Sequence, residues 1–315
     1  MFALRIAVSL DWFLLLYCLL SILVETVWRA VRPLHVAQRS VATILFGLRI
    51  LPLAASLIIT FALVVPSQLM EPIPINEAMG AIPLALGVCA LLLIAWGFFR
   101  AIAAQSRTTR AVTCWLEGAR PLKVNANSNS TTTTTTTFQS RRESPPLIVV
   151  GVRHPRVLVS ESTVALLAPD ELRMALKHEL EHMKSRDNLK RLILVFCPFP
   201  GMAKLESAWS QSAELAADDA AASTQRDALD LAAALVKLSR LVPVKTPVCS
   251  TPFVAGSISE RVARLLDWDE ATKSRRVRIR TWFLIPFAIA VSLLVSVAHR
   301  PVLTLTHEVT EWIVR

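Results

Sequence analysis

Four apolar stretches limit what this chain can become: residues 6–27, 50–69, 81–99 and 281–298 are each nearly free of charge. A helix rising 1.5 Å per residue crosses a hydrocarbon core of about 30 Å in about 20 residues, so each stretch predicts a membrane-spanning helix. An apolar content of 53% agrees with a membrane protein that carries a soluble part. The first stretch has few positive residues ahead of it, Asp11 inside it and no small-residue cleavage site, so it reads as an anchor rather than a removed leader.

The loops set an orientation. Arg29, Arg32, Arg39 and Arg49 fall between the first two stretches, whereas Glu71 and Glu77 fall between the second and third. Basic residues collect on the cytoplasmic side, which predicts an N-terminus outside the inner (plasma) membrane and a cytoplasmic block from about 100 to 280. Arg100, Arg107 and Arg110 at one end of that block and Lys273, Arg275, Arg276, Arg278 and Arg280 at the other fit this multi-pass arrangement. The net charge of +10 is thereby spent beside the lipid bilayer, and direct binding of nucleic acid is not expected. Five scattered cysteines without a close pair read as reduced thiols.

The expected organisation is a three-helix membrane region (1–100), a cytoplasmic linker (101–146), a folded block (147–280), a fourth span (281–299) and a short outer tail (300–315). The linker contains "NANSNSTTTTTTTFQSRRESPP", too poor in apolar residues to join a core and so expected to be disordered. After it, "LIVVGV" and "RVLVS" predict two short strands of a hairpin or small sheet. The fold class expected is a mostly α membrane protein with four transmembrane helices and a small α+β domain between spans three and four.

From Pro169 the pattern turns helical, with proline, Asp170 and Glu171 suited to a first turn and Leu172, Leu176, Leu180 and Met183 forming a core-facing stripe. This helix carries "HELEH". His178 and His182, four residues apart, can direct two imidazoles at one tetrahedral ion, and Glu179 beside them reads as a partly buried general base. Glu181 points the other way, with Lys177 and Lys184 on the predicted wet side. A zinc site of this kind, with one Zn2+ per chain, needs a third ligand. In "AELAADDAA" the acid Glu214 is the candidate, and Asp218 one turn on could hold a ligand imidazole by its other nitrogen, with Asp219 as its rival.

With these segments in view the chain resembles the beta-lactam sensor and antirepressor type of membrane zinc metallopeptidases, a branch of the gluzincins. The resemblance rests on "RHPRVLVSES", "LAPDELRMALKHELEHMKSRDNLKRL" and "AELAADDAA" within a three-span, domain, one-span layout. It implies His178, His182 and Glu214 as zinc ligands, Glu179 as general base and Asp218 as the acid behind a ligand. It also implies "RHPRVLVS" as an edge strand for a substrate backbone, and as substrate a cytoplasmic protein, either a repressor or the chain itself. Only residues 300–315 follow the fourth span, so an extracellular penicillin-binding sensor domain is not expected.

Two other readings compete. Heat-shock and prenyl-protein membrane proteases share the motif, but several place spans between it and the third ligand, where this chain has only "LILVFC" before Pro198 and Pro200. A signalling protein with an inactive or structural zinc site is the other; structural sites usually have four protein ligands, often cysteines, and none is near. His154 is a candidate for contact with substrate or oxyanion, beside a structural role at a strand end. Asp11 and Glu25 are expected to reach water from the ends of the first span, and His299 and His307 to lie at the outer interface. "DALDLAAALVKLSRL" is expected to pack over the zinc helices, and "SISERVARLLD" to form an amphipathic helix whose Arg261 or Arg264 is surface charge or meets substrate. Nothing in the pattern sets an oligomeric state.

Overall fold

The structure is a computed structural model that describes residues 2–30, 37–66, 81–122, 137–140, 144–197, 199, 201–241, 250–252 and 258–269. The predicted fourth span, its basic flank, His299 and His307 lie outside the described residues, as do Glu71 and Glu77.

Three described helices are long and apolar enough to cross a membrane. They are α1 (Phe2–Ala30), α2 (Gln38–Ile59, continuing as a π-helical turn over Thr60–Val64) and α3 (Ala81–Leu116). The second begins well before residue 50, so Arg39 and Arg49 belong to a helix and not to a loop. Arginine is a good helix former, and its charge interrupts a hydropathy window without interrupting the backbone. At 36 residues α3 is about 54 Å long, more than a bilayer requires, and its last turns run into the polar block. Asp11 and Glu25 do not reach water: they are 7% and 9% exposed, and both Asp11 carboxylate oxygens lack a hydrogen-bond partner.

Among the described residues five short strands form one sheet: β1 (Arg120–Pro121), β2 (Thr137–Ser140), β3 (Leu147–Val150), β4 (Arg156–Ser160) and β5 (Ser250–Pro252). Their order is β1-β2-β4-β3-β5; β2 and β4 are parallel and the other pairs antiparallel. The expected hairpin is present as β3 and β4, joined by a turn in which Gly151 takes φ +93°. Two expectations fail here. "RVLVS" is not an edge strand, because β4 is paired on both sides. The stretch expected to be a disordered linker supplies β2, whose Phe138 packs beside Trp115, Ile148, Val150 and Leu158. Pairing with β4 satisfies its backbone, a stabilisation that composition does not reveal.

Every side chain of β3 is buried because the sheet is covered on both faces. Ile148, Val150 and Leu158 face Trp115 at the end of α3, while Leu147, Val149, Val157 and Val159 face the main helical core. That core is built from α4 (Glu161–Leu166), α5 (Pro169–Ser185), α8 (Gln225–Ser239) and α9 (Ile258–Leu266). Two further helices, α6 (Asp187–Phe196) and α7 (Ala203–Ala221), lean the other way. Their Leu194, Met202, Leu205 and Trp209 pack with Val24 of α1 and Ala42 and Leu45 of α2. The domain's helices therefore rest on one end of the apolar helices, where α1 closes and α2 begins.

Candidate metal centre

The helix α5 starts as the sequence predicts, with Pro169 in its first turn and the Glu171 carboxylate accepting the Ala168 N–H at 2.8 Å. It ends at Arg186, the one non-glycine residue with positive φ (53°) among the described residues. That left-handed residue turns the chain sharply, so that Asp187, first in α6, comes back beside His182. Asn188 fixes the turn by donating to the carbonyls of Val149 and Gly151, both at 3.1 Å. More of α5 is buried than its apolar stripe implies. Met174, Ala175 and Leu176 are in the core, and even Glu181, read as surface charge, is 9% exposed and paired with Lys184 at 2.5 Å. Arg39 of α2 stands 3.9 Å from its other oxygen.

His178, His182 and Glu214 meet between α5 and α7. Their Nε2 atoms are 3.1 Å apart, and Oε2 of Glu214 is 3.6 Å from each. Ligands at 2.0–2.1 Å from a tetrahedral zinc ion are separated by about 3.3–3.4 Å, so these three atoms form one face of such a polyhedron. Both imidazoles are oriented from behind: His178 Nδ1 is 2.9 Å from Asp218 Oδ1, and His182 Nδ1 is 2.7 Å from Asp187 Oδ2. A carboxylate holding the Nδ1 proton leaves the Nε2 lone pair free for a metal. Asp219 instead pairs with Arg264 at 2.7 Å, which separates it from the site.

Arg261, read as surface charge or a substrate contact, is 2% exposed and belongs to this cluster. Its Nε and Nη2 donate to the two oxygens of Asp218 at 2.8 and 2.7 Å, and its Nη1 is 3.2 Å from Glu214 Oε2. His154 stands exposed in the turn between β3 and β4, outside this cluster.

Positive charge already inside the cluster sets the state of its acids. Burial opposes ionisation of Glu214, yet His182, His178 and Arg261 hold it well below the usual carboxylate range. Asp218, likewise buried, is brought down to about 2 by Arg261 and His178. Burial works against a charged His182, but Glu214 and Asp187 outweigh it and push the imidazole up to about 10. Glu179 differs: burial dominates and pushes its carboxyl up to about 7, against the pull of His182 and His178. It is completely buried, and neither of its oxygens accepts a hydrogen bond. Such an orphaned acid costs stability, and a buried cluster that carries one is a candidate functional site. The donor set of two imidazoles and a carboxylate, with ligand atoms spaced for one tetrahedral ion, fits zinc, and Arg261 stands beside it with Nη1 3.2 Å from Glu214 Oε2 and Nη2 3.5 Å from His178 Nε2.

Spacing gives Asp187 no role, and it offers Arg261 only as surface charge or a substrate contact. For Asp187 the only local signal is its place one turn past the motif, and its use depends on the left-handed turn at Arg186.

No curated protein matches the chain. A family model described as BlaR1 peptidase M56 matches residues 88–265, which takes in more than half of the 315 residues and all of the cluster above. The chain belongs to the BlaR1 peptidase M56 family.

Proposed function

We propose that the chain is an integral-membrane, zinc-dependent endopeptidase that cuts a protein on the cytoplasmic side of the membrane. The observation that carries this reading is the convergence of His178 Nε2, His182 Nε2 and Glu214 Oε2 beside the unpartnered carboxyl of Glu179. His178, His182 and Glu214 would hold the ion. Zinc, when bound, supplies a water whose pKa is lowered toward 7 and polarises the scissile carbonyl. Glu179 would accept a proton from the attacking water as its oxygen adds to the carbonyl carbon and would return it to the nitrogen as the C–N bond breaks, so that acid and amine leave with protons balanced. Asp218 and Asp187 keep the two imidazoles in register throughout. Arg261, held on both oxygens of Asp218 and 3.2 Å from Glu214, keeps these two acids ionised and in place.

The cluster is closed in this conformation: His178, Glu179, His182 and Glu214 are 0%, 0%, 2% and 1% exposed. Cleavage therefore requires the covering helix α9 or its neighbours to move, which suits an enzyme switched on by a signal. A repressor, or the chain itself, is the substrate that the family relationship favours. Between the motif and Glu214 the structure has the ten-residue α6 and the start of α7, not additional spans, which favours this reading over the heat-shock and prenyl-protein type.

The test is metal content of the purified full chain. Wild type and Glu179→Gln are expected to hold one zinc each, and His178→Ala, His182→Ala and Glu214→Gln far less than one. Equal zinc in all five proteins would overturn the ligand assignment.

A further inference from the structure

Arg49 lies inside α2, a helix apolar enough to cross a membrane, and is 2% exposed. A charged residue in such a helix is costly and is retained for what it binds. Its Nη2 and Nε donate to Glu206 Oε1 at 2.8 and 3.0 Å, and Nη2 also donates to the carbonyl of Cys197. Cys197 closes α6, and Glu206 sits in the first turn of α7. One guanidinium from a membrane helix thus grips both sides of the connection between these two helices.

The far portions of the same two helices build the metal centre. Asp187, at the other end of α6, holds His182. Glu214 and Asp218 follow Glu206 on the same rigid helix α7 by eight and twelve residues, about 12 and 18 Å along the axis and about 80° and 120° around it. The tip gripped by Arg49 is packed among all three membrane helices: Phe199 lies edge-on to Tyr17 of α1, Trp209 meets Phe46 of α2, and Phe196 meets Phe98 of α3. Arg39, ten residues before Arg49, faces Glu181 on α5, between Glu179 and His182. Both helices that carry the proposed ligands, α5 and α7, thereby contact one membrane helix.

We infer that Arg49 is a positioning residue of the metal centre, through which the placement of α2 in the membrane sets how Glu214 and Asp218 of α7 approach His178 and His182 of α5. The inference rests on the metal reading given above. Helices packed in this way shift as rigid bodies by an ångström or two. A displacement of α2 along its axis pulls on α7 through Glu206 and on α6 through Cys197, and so reaches Glu214 and the Asp187–His182 pair together. A signal that moves the membrane helices has a direct mechanical route to the ligands.

The experiment uses full-length protein in detergent, with cobalt as a spectroscopic substitute for zinc and competition against a chelator to measure zinc affinity. Arg49→Gln removes the grip. Glu206→Ala removes its acceptor from a side chain that is 40% exposed, and so tests the idea even if Arg49→Gln fails to fold. Lys237→Gln, which breaks the 2.7 Å pair with Glu171 away from α2, serves as the control for general loosening. Folded Arg49→Gln or Glu206→Ala is expected to bind zinc roughly tenfold more weakly, in line with the effect of residues that orient ligands, and to show an altered visible cobalt spectrum. Lys237→Gln should match wild type in both. Wild-type affinity and spectrum in Glu206→Ala, or an equal loss in Lys237→Gln, would overturn the inference. Wild type that takes up no cobalt would instead remove the metal reading beneath it.

Discussion

Asp187 Oδ2 lies 2.7 Å from His182 Nδ1, so the acid that orients the second histidine of the motif comes from the next helix, five residues on. Burial opposes its ionisation, and the bond to His182 holds the Asp187 carboxyl below its ordinary value nonetheless. Asp187→Ala frees the imidazole to rotate and leaves its N–H unpaired in a closed site. Zinc affinity, measured by chelator competition, is expected to fall by about 10- to 100-fold. An unchanged affinity would show that packing alone orients His182.

Asp218 and Asp219 are neighbours in sequence with different tasks. Asp218 bridges His178 and Arg261, whereas Asp219 pairs with Arg264. Asp218→Asn is expected to weaken zinc by about tenfold or more, and Asp219→Asn to leave it within about twofold of wild type. The two variants compared side by side in the same titration decide the assignment.

Gly151 joins the sheet to the site. At φ +93° a side chain is strained, and a Cβ would stand 2.8 Å from the His154 carbonyl oxygen. Gly151→Ala is expected to destabilise the fold by about 1–3 kcal/mol, read as a lower thermal midpoint. Because the Gly151 carbonyl also receives the Asn188 amide next to Asp187, the loosening should be visible as faster amide exchange at the start of α6.

Asp227 predicts an acid-side effect on stability. Burial would raise its carboxyl, but the Ser223 N–H, Lys177 and Arg173 hold it below its ordinary value. A carboxyl depressed in the folded state stabilises above its unfolded value, and that contribution fades as pH falls through the folded one. Asp227→Asn should therefore lower the thermal midpoint more at pH 7 than at an acid pH below the ordinary carboxylate value. A midpoint lowered equally at both pH values would point to a lost hydrogen bond without a charge effect.

What the sequence disclosed was local. His178, Glu179 and His182 lie within five residues, and Glu214 and Asp218 within another five, so a helix of fixed period brings each group together without knowledge of the fold. The three membrane helices followed from apolar length in the same way. Arg49 interrupts the apolar run, so hydropathy alone counts it as a loop charge and starts the second span too late. Its partners, Cys197 and Glu206, are about 150 residues away, beyond any periodic signal. Arg261 was uncertain because an amphipathic helix shows which face is polar but not whether an acid such as Asp218 waits to bury it. The strand Thr137–Ser140 has one strongly apolar residue, and only the neighbouring β4 makes it a strand.

The central claim is that Glu179 moves the proton in a zinc-assisted cleavage, and cellular peptides test it most directly. New protein N-termini are compared in cells producing wild type, Glu179→Gln and His178→Ala at equal membrane levels. A set of cleavages present with wild type and absent from both variants is predicted, with Glu179→Gln still holding its zinc. The same cleavages persisting in zinc-loaded Glu179→Gln would contradict the mechanism.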